Sequence, residues 1–147
     1  MDWQLELVMG GKALLAAVMG GIVGLERART GRDAGIRTYS AVSLGSCVFA
    51  MVSANISGAD PSRLASNIVT GIGFLGAGVI LRDRGRTRGL TSAATLWATA
   101  AIGTGIGFGL YPLSILTALI VLLILFAPRM PGWSRLTGRT GEQDDGE

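Results

Sequence analysis

Charged and hydroxyl side chains stand at the edges of long apolar runs, and these residue types suit binding chemistry. Glu26 and Arg27 follow the first run, and later runs are flanked by similar residues. A carboxylate beside several guanidinium groups ionises readily and keeps its position. If the edges meet on one face, they form a polar pocket for an ion, an anion or a partner's loop, made of Glu26, Arg27, Arg37, Thr38, Arg82 and Thr91. The alternative is that these residues only anchor helix ends at an interface.

A second polar pair, Arg63 and Asn67, lies four residues apart, so on a helix both side chains share one face. We expect a smaller polar cluster there, because polar groups in an apolar surrounding need partners. The composition excludes other chemistries. The chain has no His and one Cys, so a His base, a His relay and a cysteine cluster are all excluded, and we expect no metal site and no cofactor.

The segment from Gly71 to Gly76 matches the dinucleotide-binding pattern G-x-G-x-x-G. That fingerprint needs a strand before it and an acidic residue about 20 positions later. Here it lies inside an apolar run, and the next acid, Asp83, comes seven residues after Gly76. No Walker, metalloprotease or nucleophile-elbow motif is present in the sequence. We therefore predict a closely packed helix at this segment and a protein that is not an enzyme.

Five apolar runs must position these residues, and their lengths indicate helices that span a membrane. The runs are 17 to 21 residues long, and a spanning helix needs about 20. Hydrophobic residues make up 49% of the chain, charged residues only 16%, and the mean hydropathy is +0.49. We predict an all-α, multi-pass membrane helix bundle in residues 1–127, with spans at Leu5–Leu25, Thr38–Ile56, Leu64–Leu81, Leu90–Ile106 and Leu110–Ala127.

Basic residues are divided unevenly between the two sides of such a bundle. Eleven fall in the loops and tail of one side, whereas Lys12 and Arg63 fall on the other. Because cytoplasmic loops carry the excess of Lys and Arg, we predict the N-terminus outside and the C-terminus in the cytoplasm. The N-terminus has no basic n-region, so no cleavable signal peptide is expected. Residues 128–147 are predicted to form a short disordered tail.

Small residues recur at helical spacing and predict close contacts between helices, because lipid supplies no hydrophobic drive for helix packing. The glycines predicted to pack in this way are Gly20, Gly24, Gly71, Gly73, Gly76 and Gly78. Aromatic residues near the run ends fit a belt at the membrane interfaces, with Trp3, Tyr39 and Tyr111 as its members.

Two helix starts carry local signals. Asp60 followed by Pro61 predicts an N-cap and a first helical residue, so the third helix should begin there. Thr91 or Ser92, after Gly89, is expected to cap the fourth helix.

The same patterns narrow the partners and activities. The isoelectric point near 9.8 does not indicate nucleic-acid binding, because the basic residues flank apolar runs and form no stripe beside stacking aromatics. No acidic residue lies near the middle of any run, which disfavours a magnesium or proton transporter that acts alone. A transporter or channel completed by an oligomer and a purely structural assembly partner remain as alternatives.

Five stretches occur in a specific order and spacing between about residues 20 and 109. They are Gly24-Leu25-Glu26-Arg27, Ala34-Gly35-Ile36-Arg37-Thr38, Asp60-Pro61-Ser62-Arg63-Leu64-Ala65, Gly71-Ile72-Gly73-Phe74-Leu75-Gly76-Ala77-Gly78-Val79-Ile80 and Arg88-Gly89-Leu90-Thr91-Ser92-Ala93-Ala94-Thr95-Leu96-Trp97. In this arrangement they resemble the MgtC/SapB family of bacterial membrane proteins.

The resemblance implies a multi-pass protein of the bacterial inner membrane, linked to magnesium or ion homeostasis and growth at low magnesium. Family members look like modulators of other membrane machinery more than pumps. The partners implied are the lipid bilayer, a membrane protein such as the proton-translocating ATP synthase or an ion pump, and further copies of the chain.

The chain departs from the virulence-type members of that family in three respects. Those members often carry a cytoplasmic regulatory domain of the ACT type after the helices, and 147 residues are too few to hold one. Thr91 stands where they commonly have Asn, and Ala98 where they commonly have Cys. We therefore expect the fold and the membrane location to carry over, and not the virulence role.

Overall fold

The structure is a computed structural model, and it describes residues 3–56, 60–83 and 86–129. The side chains of residues 61–62, 64–65, 81–83 and 86 lie outside this description. Five helices follow one another along the chain: α1 (Trp3–Arg29), α2 (Ile36–Asn55), α3 (Pro61–Val79), α4 (Leu90–Gly107) and α5 (Tyr111–Phe126). They match the five predicted runs to within about four residues at each end. The all-α bundle predicted from the sequence is confirmed.

Two short elements were not predicted. Strands β1 (Leu81–Asp83) and β2 (Arg86–Arg88) form an antiparallel ribbon between α3 and α4, with Leu81 opposite Arg88. A 3-10 turn at Ala127–Arg129 extends α5. The predicted tail therefore begins as an ordered turn, and residues 130–147 lie outside the described part of the chain.

Helix α4 is the centre of the bundle, because it contacts each of the other four helices. Its buried side includes Leu96, Ile102 and Ile106, each at most 1% exposed. By length and hydropathy, three of the described helices could cross a membrane: α1, α2 and α5, the last counted to Arg129. A helix that is shielded from lipid by its neighbours can carry more Thr and Ser, which explains why α4 falls outside that set.

The tightest contacts occur where α1, α2 and α4 cross at Ser43. A Cβ placed on Gly20 would lie 2.6 Å from the Cβ of Ser43, and a Cβ on Gly103 would overlap the Ser43 carbonyl. Gly24 gives a similar approach, because its Cβ would lie 2.8 Å from the Cα of Ile36. The packing roles predicted for Gly20 and Gly24 therefore match the structure. Glycine is the residue that lets backbones come this close.

The glycines of α3 make fewer close contacts than Gly20 and Gly24. A Cβ on Gly76 would make an ordinary contact with Ala93 at 3.6 Å. On Gly71, Gly73 or Gly78 it would meet no atom within 4 Å in the described part of the chain. Gly71 borders the groove between α2 and α3, and the packing role predicted for these three glycines stays a prediction. Spacing shows which residues share a helix face, and it does not show which face a neighbour covers.

Candidate functional site

A polar cavity of about 620 Å³ opens at one end of the bundle, where α1 and α5 end and α4 begins. We call it the arginine cavity. Its lining combines three guanidinium groups, one carboxylate and the first turn of α4, and consists of Glu26, Arg27, Thr30, Arg32, Thr87, Gly89, Leu90, Thr91, Ser92, Ile124, Leu125, Pro128 and Arg129. Three of the six residues predicted for a pocket, Glu26, Arg27 and Thr91, meet here.

Glu26 is buried at the wall of the arginine cavity and is 5% exposed. Its Oε1 lies 3.2 Å from Nη2 of Arg129, and its Oε2 lies 3.7 Å from Nε of Arg27. The sequence favoured Arg37 as the first partner, but the structure gives this place to Arg129, in the turn after α5. The guanidinium of Arg129 also lies 5.2 Å from the centre of the Phe126 ring, a cation–π distance.

The buried ion pair leaves hydrogen-bonding capacity unused. Arg27 is 5% exposed, and its buried Nε and the buried Oε2 of Glu26 have no hydrogen-bond partner in the described structure. At 3.7 Å these two atoms attract each other electrostatically, but the separation is too long for a hydrogen bond. Buried polar atoms are normally hydrogen-bonded. This ion pair at the cavity wall is therefore imperfectly satisfied.

The beginning of α4 supplies further donors. The N-cap is Gly89, with a φ of 83°, and no side chain caps the helix. The caps expected from Thr91 or Ser92 are therefore wrong. The first amides of a helix have no carbonyl partner within it, and here the residues that carry them, Leu90, Thr91 and Ser92, line the cavity. A Cβ on Gly89 would overlap the carbonyl of Val79, so this tight turn requires glycine.

The other predicted pocket residues lie elsewhere. Arg37 is exposed in the first turn of α2. Thr38 borders a second cavity, an apolar groove of about 590 Å³ between α2 and α3. The backbone of Arg82 lies in β1, and its side chain is outside the described part of the structure. The bundle thus divides the predicted set between different surfaces: the first turn of α2 packs against α1 through Ile36, and neither Arg37 nor Thr38 lines the arginine cavity.

The predicted outer pair lies on α3. Arg63 and Asn67 are both exposed, and Asn67 borders the apolar groove that Thr38 also lines. The carbonyl of Arg63 accepts a hydrogen bond from the Ser66 hydroxyl at 2.7 Å. A polar cluster made by Arg63 and Asn67 stays a prediction.

Three residues important to this end of the bundle were missed or misplaced by the sequence. Arg129 was placed in the tail, and Arg32 was counted only as a topology signal. Tyr39 was placed in an interfacial belt, but it is fully buried and its hydroxyl contacts α4. Trp3 is 66% exposed and Tyr111 37%, as such a belt would require. A basic residue directly after a long apolar run was the available signal for Arg129.

Within the described part of the chain, no group of three or more His, Cys, Asp and Glu side chains could hold a metal ion. The arginine cavity has neither His nor Cys in its lining. What it offers is fixed positive charge, hydrogen-bond donors and space. This arrangement is suited to binding.

The bundle, with its membrane-length apolar helices and a polar cavity at one end, defines a helical membrane protein. The model of the MgtC family matches residues 13–130. The chain belongs to the MgtC family.

Several curated proteins are similar to it. YhiD of Escherichia coli K12 is 44% identical over 123 residues, which cover 78% of this chain and 57% of YhiD. SrpB of Synechococcus elongatus is 40% identical over 139 residues, covering 84% of this chain and 75% of SrpB. MgtC of Salmonella typhimurium is 44% identical over 109 residues, covering 74% of this chain and 47% of MgtC. The chain thus spans about half the length of YhiD and MgtC. No solved structure matches it.

Proposed function

We propose that this chain is a non-enzymatic protein of the bacterial inner membrane that serves magnesium homeostasis at low magnesium by modulating a membrane-protein partner. Family membership supports the link to magnesium, since the name given to YhiD proposes magnesium transport for that relative. The observation that carries the proposal is the buried ion pair of Glu26 with Arg27 and Arg129 at one end of the bundle. A charged surface at an end of the bundle is one that a partner can reach, which supports the proposal.

The middle of the bundle offers little for ion passage. Two of its hydroxyl groups are engaged with the backbone of their own helix, whereas the buried Ser43 hydroxyl has no hydrogen-bond partner in the described structure. Thr99 donates to the carbonyl of Thr95 at 2.8 Å, and Thr104 donates to that of Ala100 at 2.9 Å. An intramembrane path for Mg²⁺ or protons normally uses carboxylates or unwound carbonyls near the midplane. These observations favour a modulator over a pump that works alone.

The distribution of basic residues supports a cytoplasmic location for the arginine cavity. The loops and turn around it carry Arg29, Arg32, Arg88 and Arg129, and positive residues accumulate on the cytoplasmic side of membrane proteins. At that face the cavity would meet the cytoplasmic surface of a partner such as the ATP synthase or an ion pump. The bilayer surrounds the remaining faces, and further copies of the chain are a second candidate partner.

The test is rescue of growth at low magnesium in a bacterial strain that lacks its own family member. Glu26→Gln should reach the membrane in normal amount yet fail to rescue, because the carboxylate that orders Arg27 and Arg129 is lost. Arg29→Gln is the matched control, because Arg29 is an exposed cation at the end of α1 and does not line the cavity. Full rescue by Glu26→Gln would contradict the proposal.

The alternative is a transporter or channel completed by an oligomer. Gly71, Gly73 and Gly78 of α3 favour it, because no described side chain or backbone lies within 4 Å of a Cβ placed there, and small residues allow another helix to approach closely. Magnesium flux into liposomes that contain the purified chain separates the two functions. Robust magnesium flux would favour the transporter function over the modulator function. Rescue of growth without magnesium flux would support the modulator function.

A further inference from the structure

Positive side chains predominate among the described residues of the arginine cavity. Arg27, Arg32 and Arg129 line it together with one described carboxylate, that of Glu26. An excess of guanidinium groups attracts an anion and repels a metal cation. Guanidinium groups are planar donors that match the oxygens of a phosphate group.

The start of α4 adds to this positive charge. The first-turn residues Leu90, Thr91 and Ser92 line the cavity, no side chain caps the helix, and a helix N-terminus carries a partial positive charge. Uncapped amides at such an end are suited to binding phosphate oxygens. Because Gly89 has no side chain, nothing on that residue stands between the amides and the cavity.

A buried side chain points independently to a ligand. Arg27 is 95% buried, and its Nε has no hydrogen-bond partner in the described structure. This Nε faces the Glu26 carboxylate at 3.7 Å in an ion pair without a hydrogen bond, so the charge of Arg27 is imperfectly compensated at the cavity wall and would be stabilised by an anion in the cavity. The charge, the helix terminus and the unsatisfied guanidinium lie in one space of about 620 Å³, which exceeds the volume of a phosphate group.

We propose that the arginine cavity binds a phosphate-bearing anion, supplied by a soluble phosphate compound or by the headgroup of an anionic lipid. Arg129, which is 47% exposed, reaches Glu26 from the turn after α5 and stands at the side where an anion would enter. A phosphate competes with the Glu26 carboxylate for Arg129. The inference rests on the proposed function for its biological meaning, but binding is measured without any magnesium readout.

The experiment uses the full chain in nanodiscs of phosphatidylcholine, titrated with inorganic phosphate and pyrophosphate in a calorimeter, with chloride at equal ionic strength as the comparison. Wild type should bind at least one of the two phosphates saturably. Thermal unfolding of the same sample should shift upward as the ligand is added, because a ligand that binds the folded state stabilises it. A second set of discs, containing phosphatidylglycerol, tests the lipid source. A higher unfolding temperature in those discs, with no binding of soluble phosphate, assigns the site to the headgroup.

Three variants decide whether the cavity is the site. Arg129→Gln should weaken binding about tenfold or more, because it removes a charged donor. Glu26→Gln should strengthen binding several-fold, because it removes the competing carboxylate. Arg29→Gln should leave binding within about twofold, since Arg29 does not line the cavity.

Phosphate binding should become stronger in Glu26→Gln and weaker in Arg129→Gln. These opposite changes distinguish a ligand site from a merely structural ion pair, because breaking a structural pair would weaken binding in both variants alike. If Glu26→Gln fails to fold, phosphate binding by Arg129→Gln still decides whether the cavity is the site, because Arg129 is about half exposed. The proposal is overturned if wild type responds to neither phosphate nor phosphatidylglycerol, or if all three variants respond as wild type does. Phosphate binding as expected, together with full rescue of growth by Glu26→Gln, would retain this site and count only against the proposed function.

Discussion

The hydroxyl oxygen of Tyr39 lies 2.6 Å from Oγ1 of Thr95, which joins α2 to α4 inside the bundle. Either hydroxyl can donate across this contact, and Thr95 Oγ1 also lies 2.9 Å from the carbonyl of Thr91. The Tyr39 hydroxyl also lies 3.3 Å from the carbonyl of Ser92. Thr91 and Ser92 line the arginine cavity, so this contact connects the buried packing of α2 to the cavity wall.

Replacing Tyr39 by Phe should lower stability without changing the fold. The substitution removes the hydroxyl and leaves the ring, so it removes hydrogen bonds between α2 and α4 and little packing. Such bonds inside membrane bundles are worth about 0.6–2 kcal/mol. The measurement is the melting temperature in mild detergent, and Tyr111→Phe, at an exposed position, is the control. Equal melting temperatures for both variants and wild type would show that the Tyr39 hydroxyl does not contribute to the stability of the bundle.

Two glycine substitutions should differ sharply in their effect on the stability of the bundle. A Cβ on Gly103 would overlap the Ser43 carbonyl, so Gly103→Ala should destabilise the bundle by about 1–3 kcal/mol. A Cβ on Gly73 meets nothing within 4 Å in the described structure, so Gly73→Ala should be neutral or stabilising by up to about 1 kcal/mol, through higher helix propensity. Unfolding in a denaturing detergent series measures both. If Gly73→Ala lost as much stability as Gly103→Ala, the face of α3 that carries Gly73 would be covered in the working protein, as in an oligomer.

Lys12 should stabilise the end of α4. Its Nζ donates to the carbonyl of Gly107 at 3.2 Å and lies 5.9 Å from the centre of the Tyr111 ring. A cation at a helix C-terminus satisfies a free carbonyl and complements the helix dipole. Lys12→Met should therefore cost about 1 kcal/mol, measured by unfolding in detergent. Lys12→Arg keeps a cationic donor and should recover most of the loss, and a Met variant as stable as wild type would show that the contact is not stabilising.

The orientation predicted from the basic residues can be tested with reporter fusions. The excess of Lys and Arg on one side predicts a cytoplasmic C-terminus. Green fluorescent protein at the C-terminus should then fluoresce, and alkaline phosphatase at the same place should be inactive. Active phosphatase with a dark fluorescent protein would reverse the orientation and place the arginine cavity outside.

The sequence was sufficient to predict the helices. The lengths of the apolar runs and the Asp60–Pro61 signal predicted five helices and the start of α3 at Pro61, and both agree with the structure. These features are local, because membrane helices must satisfy their own backbone hydrogen bonds along a continuous apolar stretch. Glu26, Arg27 and Thr91, which the sequence analysis assigned to one pocket, line the same cavity, and the functional role of that cavity stays a prediction.

Only the tertiary structure decided which side chains meet. Three of the six predicted pocket residues line one cavity, Glu26 pairs with Arg129 instead of Arg37, and Tyr39 lies in the core. Gly20 packs against a neighbouring helix, whereas a Cβ on Gly73 meets no described atom within 4 Å. Each outcome depends on the rotation of a helix about its own axis, which is set by contacts with neighbours distant in sequence. Spacing along one helix shows which residues share a face, and only the neighbouring helices determine whether that face is buried, lines a cavity or stays open.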